Sequence, residues 1–401
     1  MSEQSQQRVV IAGAGLAGVQ TAVQLREQGW EGAVTLLGAE PHRPYDRPPL
    51  SKDILLGKAG ASEFEVDFRA LGIELLTGCP VTALRPADRE VDTPGGPVGY
   101  DHCVLATGAE PLALPGTARD PDAFLLRTLD DAHRLRRVLD KRRDVVAVGA
   151  GWIGAEFATA ARAAGCRVTV VEAAAQPLAG ALPAAVTEPM RQWYADAGAE
   201  LLTSRTVTAV RKGAVELADG RLLPADAALI GIGSRPATAW LTGSGIPLTP
   251  DGSVRADARL RAGVPGVHAV GDCASFPSAR YGSRMLVHHW DNALQGPRTV
   301  AAGILGRDAL HDPVPYFWSE QFGRTVQYAG HRGEGDELVW RGSPADASWS
   351  VCWLRDGVLR ALLAVDRPRD LAQGRRLIER ATALDQARAA DPAVPLKSAA
   401  R

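Results

Sequence analysis

The chain is poor in cysteine, and poorer still in cysteines that could act together. Its five stand at positions 79, 103, 166, 273 and 352. No CxxC occurs, so neither a disulfide framework nor a zinc site is signalled, and isolated thiols fit a reducing compartment. Net charge is nearly absent as well, formally −1 at pH 7, which points to neither nucleic acid nor an anionic membrane as a partner. No apolar run is long enough to span a bilayer. The start, "MSEQSQQR", is polar and lacks the apolar stretch of a secretory signal. These absences lead to the expectation of a cytoplasmic protein. Histidine offers no metal site: His288 and His289 are adjacent, so on a strand they face opposite sides, and no third ligand is placed nearby.

What is present is length and repetition. The chain has 401 residues, enough for two or three domains. "VVIAGAGLAG" at 9–18 recurs as "VVAVGAGWIG" at 145–154. Each copy opens with a β-branched run that reads as a buried strand. Each continues into a helical pattern that stops at a glycine, Gly29 or Gly165, as a helix C-terminus should. A second strand follows each, at 33–38 and 167–172. A third region begins near residue 312, with strand-like runs at 324–330, 337–342 and 349–354. A hairpin with its returning strand spans 356–365, and a helix is expected from Asp370 to about Ala383. The last residues, "ARAADPAVPLKSAAR", read as a frayed tail.

A lone GxGxxG is weak, but here the context is right twice: strand before, helix after, acidic residue downstream. Gly13 makes the tight turn, Gly15 lets backbone approach a pyrophosphate, and Gly18 lets helix pack on strand. Gly149, Gly151 and Gly154 repeat the arrangement. Glu172 ends the second copy's strand and suits the two ribose hydroxyls of NAD. "EAAAQP" follows it, with no arginine for a 2′-phosphate, so NADH is favoured over NADPH. Glu40 lies near the similar place in the first copy, just beyond the strand end. Two nucleotide sites on one chain imply two nucleotides, and chemistry between FAD and a nicotinamide is the economical explanation.

Further motifs carry a resemblance. "RPYDRPPLSK" (43–52), "VLATGA" (104–109), "VHAVGDCA" (267–274), "HHWDNALQG" (288–296) and "PYFWSEQF" (315–322) together resemble the oxygenase-coupled NADH–ferredoxin reductases. The match runs from about residue 7 to 384. It implies an α/β fold with two Rossmann-like, glutathione-reductase-like nucleotide-binding domains and a C-terminal α+β domain. The FAD domain would comprise 1–110 and 243–313, the NAD domain 111–242, and the C-terminal domain with its frayed tail 314–401. FAD contacts implied by the resemblance are Gly13, Gly15, Leu16, Ala17, Gly18, Ala39, Glu40, Arg47, Lys52, Val81, Ala106, Thr107, Gly108, Arg127, Gly271, Asp272 and Trp290. NAD contacts would be Gly149, Gly151, Trp152, Ile153, Gly154, Glu172 and Gly233. Relatives often carry a glutamate where this chain has His288.

The resemblance also implies roles. Hydride passes from NADH to flavin, and the reduced flavin is anionic. Lys52 would sit near the ring and favour that charge. A buried lysine needs a partner, and Glu156, on the first turn of the second fingerprint helix, is the candidate. Trp318 is the aromatic candidate beside the flavin. Pro48 and Pro49 fix φ and stiffen this wall. Residues 40–55 hold no cysteine, where many flavin disulfide reductases carry their redox cysteine, and this argues against glutathione-reductase-like activity. The electrons would go instead, one at a time, to a [2Fe–2S] ferredoxin serving a P450 or a Rieske oxygenase. An acidic ferredoxin could dock near Arg298, or on the basic stretch "HRLRRVLDKRR" (133–143). Two other readings stay open. One is a flavin-dependent NADH oxidase or oxidoreductase acting directly on a small molecule. The other is an NADH-sensing redox protein.

Overall fold

A computed structural model describes residues 6–117 and 120–401. Most of the polar start lies outside the described residues. No described helix is long and apolar enough to cross a membrane. The chain forms two compact units. The first comprises 1–46, 63–110 and 235–317; the second comprises 47–62, 111–234 and 318–401.

The first unit is built on a five-stranded parallel sheet. Its strand order is Val267–Ala269, His102–Leu105, Arg8–Ala12, Ala33–Leu37, Ile73–Leu76. Val9, Ile11, Val34 and Leu36 are fully buried, each worth about 1.5–3 kcal/mol of transfer free energy. The fingerprint helix Leu16–Glu27 ends at Gln28, and Gly29 follows at φ +97°, a left-handed exit that glycine takes without strain. The helix Trp290–Ile304 packs against it. This unit also collects buried histidines. His102 and His268 lie 6.2 Å apart, and the edge of Trp30 meets His102. Burial pushes His268, His289 and His311 down to about 4.

The second unit repeats the plan. Its parallel sheet runs Glu200–Leu202, Arg167–Val171, Asp144–Val148, Ala227–Ile230, Ala123–Phe124. The helix Trp152–Ala163 packs on it, and Gly165 follows at φ +87°. A second layer in this unit is an antiparallel sheet ordered Tyr316–Gln321, Arg324–Gly330, Val358–Val365, Trp349–Arg355, Glu337–Arg341. The helix Pro368–Glu379 covers it; it starts two residues earlier and stops sooner than the periodicity suggests.

Two expectations change. Residues 47–62 fall in the second unit, not with the first sheet. The reason is packing: Leu55 is part of the core formed by Val145, Ala147, Phe157 and Leu229. The C-terminal tail is not frayed. It forms a helix at Gln386–Ala390 and a 3₁₀ turn at Leu396–Ala399, and Leu384 bridges to Ala400. Arg341 is fully buried, paired with Asp370, and donates to the carbonyls of Ala389, Asp391 and Val394. A buried guanidinium left without these acceptors would be costly, so the tail is held down.

Candidate functional site

In the first unit, two segments converge on the first fingerprint. Gly13 has φ +112°, and a Cβ there would lie 2.3 Å from the carbonyl oxygen of Ala106. A Cβ on Gly18 would lie 1.8 Å from the oxygen of Gly13. These are the close approaches that the fingerprint demands. Gly271 sits against Ala17: a Cβ on Gly271 would be 2.9 Å from that of Ala17. The structure thus brings Gly13, Gly15, Leu16, Ala17 and Gly18 together with Ala106, Thr107, Gly108, Gly271 and Asp272. No side chain caps the helix Leu16–Glu27, and no carboxylate stands in its first turn. A bare N-terminus of this kind suits a pyrophosphate.

Other expected residues of this unit are placed less uniformly. Tyr45 donates to Glu40 Oε2 at 2.5 Å. Cys79 N–H donates to Gly38 O at 2.7 Å beside Ala39, and Val81 packs against the core under the sheet. Trp290 Nε1 donates to Asp46 Oδ1 at 2.8 Å. His289 stacks on Phe317, ring centroids 4.4 Å apart. Cys273 is buried, donates to the carbonyls of Leu105 and Val270, and has its thiol pushed up by burial. It is a packing cysteine rather than a redox one.

The second unit holds the second cradle. Gly149 has φ +99°, and its Cβ would lie 2.4 Å from Gly231 O; that of Gly154 would lie 2.0 Å from Gly149 O. The helix N-terminus at Gly151 is again uncapped and without acid in its first turn. Glu172 accepts from Ala150 N–H at 2.7 Å and Ala174 N–H at 2.8 Å, which aims the carboxylate at the glycine loop. Gly233, at φ +125°, accepts from Leu112 N–H at 2.9 Å. Trp152 is half-buried. Ile153 and Ile232 are apolar yet 41% and 40% exposed. Arg47 and Arg127 are neighbours in this unit, Arg47 Nε donating to Arg127 O at 3.2 Å.

A buried carboxylate organises the rest. Lys52 Nζ lies 2.8 Å from Glu156 Oε2. Ser51 Oγ donates to the same oxygen at 2.5 Å, and Ser319 Oγ donates to Oε1 at 2.6 Å. Pro48–Ser51 forms a 3₁₀ turn that presents Ser51 and Lys52 side by side. Glu156 is the fifth residue of its helix, just past the first turn where it was expected. The helix dipole acts mainly on the first turn, so Glu156 is held by side chains rather than by the dipole. Sequence reasoning brought Lys52 and Glu156 together but missed Ser51, Ser319 and Gln321. Trp318 is half-buried and precedes Ser319 on the strand; it is Ser319 that supplies the bond to Glu156.

The basic stretch 133–143 is partly engaged within the unit, while Arg137, Lys141 and Arg142 are exposed. Arg134 lies over Phe124, Arg136 packs on Gly57, and Arg143 pairs with Asp226. Among the described residues no group of three or more His, Cys, Asp or Glu could hold a metal.

Comparison with known proteins follows this geometry. The pyridine nucleotide-disulphide oxidoreductase family matches residues 7–296, and the reductase C-terminal family matches 316–400. The chain is 37% identical to the ferredoxin reductase component of chlorobenzene dioxygenase from Cupriavidus sp., covering 96% of this chain and 95% of that one. It is 36% identical to the ferredoxin reductase subunit of 5,5′-dehydrodivanillate O-demethylase from Sphingobium sp., covering 97% of each. Among solved structures, the covalent putidaredoxin reductase–putidaredoxin complex superposes with a TM-score of 0.94 at 33% identity, covering 98% of each chain. The chain belongs to the pyridine nucleotide-disulphide oxidoreductases and, within them, to the ferredoxin reductases of oxygenase systems.

Proposed function

We propose that this protein is an FAD-dependent NADH:ferredoxin reductase that feeds single electrons to a [2Fe–2S] ferredoxin of a P450 or Rieske oxygenase system. The observation that carries it is the coexistence of two dinucleotide cradles with five unpaired cysteines. When bound, the two nucleotides would supply hydride transfer from nicotinamide to flavin and release of electrons one at a time, with no dithiol relay between them. The first cradle, Gly13 to Gly18 with Ala106 to Gly108, Gly271 and Asp272, would hold FAD, with Trp290 assigned to the flavin. The second, Gly149 to Gly154 with Glu172 and Gly233, would hold NADH. Glu172 favours ribose hydroxyls and disfavours a 2′-phosphate by charge.

We assign Lys52 and Glu156 to the hydride step. A lysine fixed by a buried carboxylate places a cation with reduced solvent screening, which would favour negative charge on a reduced flavin. Reducing cytoplasm suits five free thiols. The test is anaerobic. The purified flavoprotein is reduced with NADH and mixed with a [2Fe–2S] ferredoxin, O₂ or small-molecule acceptors. Rapid reoxidation by ferredoxin alone is expected. Indifference to ferredoxin with rapid reoxidation by O₂ or a small molecule would replace this reading with a direct oxidase or oxidoreductase.

A further inference from the structure

Glu156 has more partners than an ion pair with Lys52 requires. It is only 5% exposed, and it accepts from Ser51 and Lys52 on Oε2 and from Ser319 on Oε1. Ser319 Oγ in turn accepts from Gln321 Nε2 at 3.1 Å. Ser319 and Gln321 are each 1% exposed, whereas Glu320 between them is exposed. The strand therefore turns two polar side chains inward, against the usual preference of buried faces for apolar groups.

The chain of bonds has a direction set by chemistry. Ser319 has one hydroxyl proton, and an ionised carboxylate only accepts. That proton goes to Glu156, so the atom facing Ser319 from behind must be a donor, the amide nitrogen of Gln321. The terminal torsion of a glutamate is soft, so Lys52 alone does not fix the plane of the carboxylate. Ser319 holds the oxygen opposite the one shared by Ser51 and Lys52, and so fixes that plane.

A second tie lies one helical turn further on. Phe322 N–H donates to Thr159 Oγ1 at 2.9 Å. Phe322 itself has φ +50°, unusual for a bulky residue, and its ring lies 4.6 Å from that of Tyr194. This tie holds the turn just after the same strand to the same helix without touching Glu156. It gives a built-in control for a bond that is mere cement.

We propose that Ser319, backed by Gln321, is a positioning residue: it fixes the Glu156 carboxylate and through it sets the place of the Lys52 ammonium. This rests on the assignment of Lys52 and Glu156 to the hydride step, but its geometry is tested without turnover. The full-length protein as purified is treated briefly with acetic anhydride, and acetylation of each lysine is followed by mass spectrometry. In Ser319→Ala, Lys52 should acetylate about fivefold faster, the scale of losing one ordinary hydrogen bond, while exposed Lys58 stays unchanged. Ser319→Thr, which keeps the hydroxyl, should restore the wild-type rate. Gln321→Leu should show a smaller rise, which keeps the test alive should Ser319→Ala fail to fold. Thr159→Val should leave Lys52 unchanged. NADH-driven flavin reduction at saturating NADH should slow in Ser319→Ala with little change in the NADH concentration for half-maximal rate. An unchanged Lys52 rate in both Ser319→Ala and Gln321→Leu overturns the proposal, as does an equal rise in Thr159→Val. Failure of the hydride assignment would appear separately, as a Lys52 response with no change in flavin reduction.

Discussion

The two glycine cradles are close copies that differ in what stands above them. In both, a positive-φ glycine presses on a carbonyl, of Ala106 in one and Gly231 in the other. In the first, the small Ala17 is only 7% exposed and lies under the Gly271 turn. Its counterpart in the second, Ile153, is 41% exposed, and Ile232 beside that cradle is 40% exposed. The first cradle is roofed and the second is open. On the proposed reading this separates a resident nucleotide from a visiting one. The copies differ again two turns into the motif. Gln20 stands where the second helix has Glu156, so the charge that recruits Lys52 exists in one copy alone.

The largest test of this contrast substitutes the matched glycines. Gly13→Ala should yield protein without the yellow flavin band. Gly149→Ala should keep the band but lose NADH reduction. The positive φ alone costs an alanine ~1–2 kcal/mol, and the overlap with backbone adds to it. Equal flavin content in the two variants would erase the distinction between the cradles. Next in size, Lys52→Ala should retain FAD while stopped-flow reduction by NADH slows about 10²-fold, the scale of removing one preorganised charge-stabilising group; an unchanged rate would make Lys52 an ordinary loop residue.

The units should also part company in acid. His268, His289 and His311 all lie in the first unit, and burial lowers each from 6.5 to about 4. A histidine with a lowered folded-state value binds its proton more readily when unfolded. Its stability contribution is therefore complete above pH 6.5 and lost as pH falls toward 4. For His268 the full shift is on the order of 3 kcal/mol. Flavin release, followed by fluorescence, should precede the loss of helical circular dichroism, and His268→Phe should move it to lower pH. Coincident transitions unaffected by His268→Phe would count against the contrast. The smallest effect belongs to exposed Arg298 in the first unit. Arg298→Glu should slow ferredoxin-dependent turnover a few-fold at low salt, leaving ferricyanide turnover nearly intact; equal loss in both assays would remove its docking role.

Local pattern carried much of this architecture. The β-branched runs, the glycines at 13, 15 and 18 and their copies, and the stops at Gly29 and Gly165 were legible because each depends on neighbours in sequence. Lys52 and Glu156 were legible through family likeness. Ser319 and Gln321 were not, because a hydrogen bond from residue 319 to residue 156 leaves no periodic trace. The only local sign was polar residues alternating with an exposed glutamate on an aromatic strand. Asp46 was hidden for the same reason, its partner Trp290 lying far along the chain. The tail misled because it is short and alanine-rich, and much of its order comes from long-range contacts, the Arg341 guanidinium and the burial of Ala389, Leu396 and Ala399.

That guanidinium has a consequence for biogenesis. Arg341 belongs to a sheet whose last strand ends at Val365, yet its acceptors at Ala389, Asp391 and Val394 are made later. A nascent chain can complete the sheet and pair Arg341 with Asp370, but the remaining N–H groups of the guanidinium find their carbonyl acceptors only when residues 389–394 emerge. Final closure of this layer thus waits for the segment that follows the sheet, and a chain cut before residue 389 leaves buried N–H donors unsatisfied in its core, a mark that quality-control proteases can act upon.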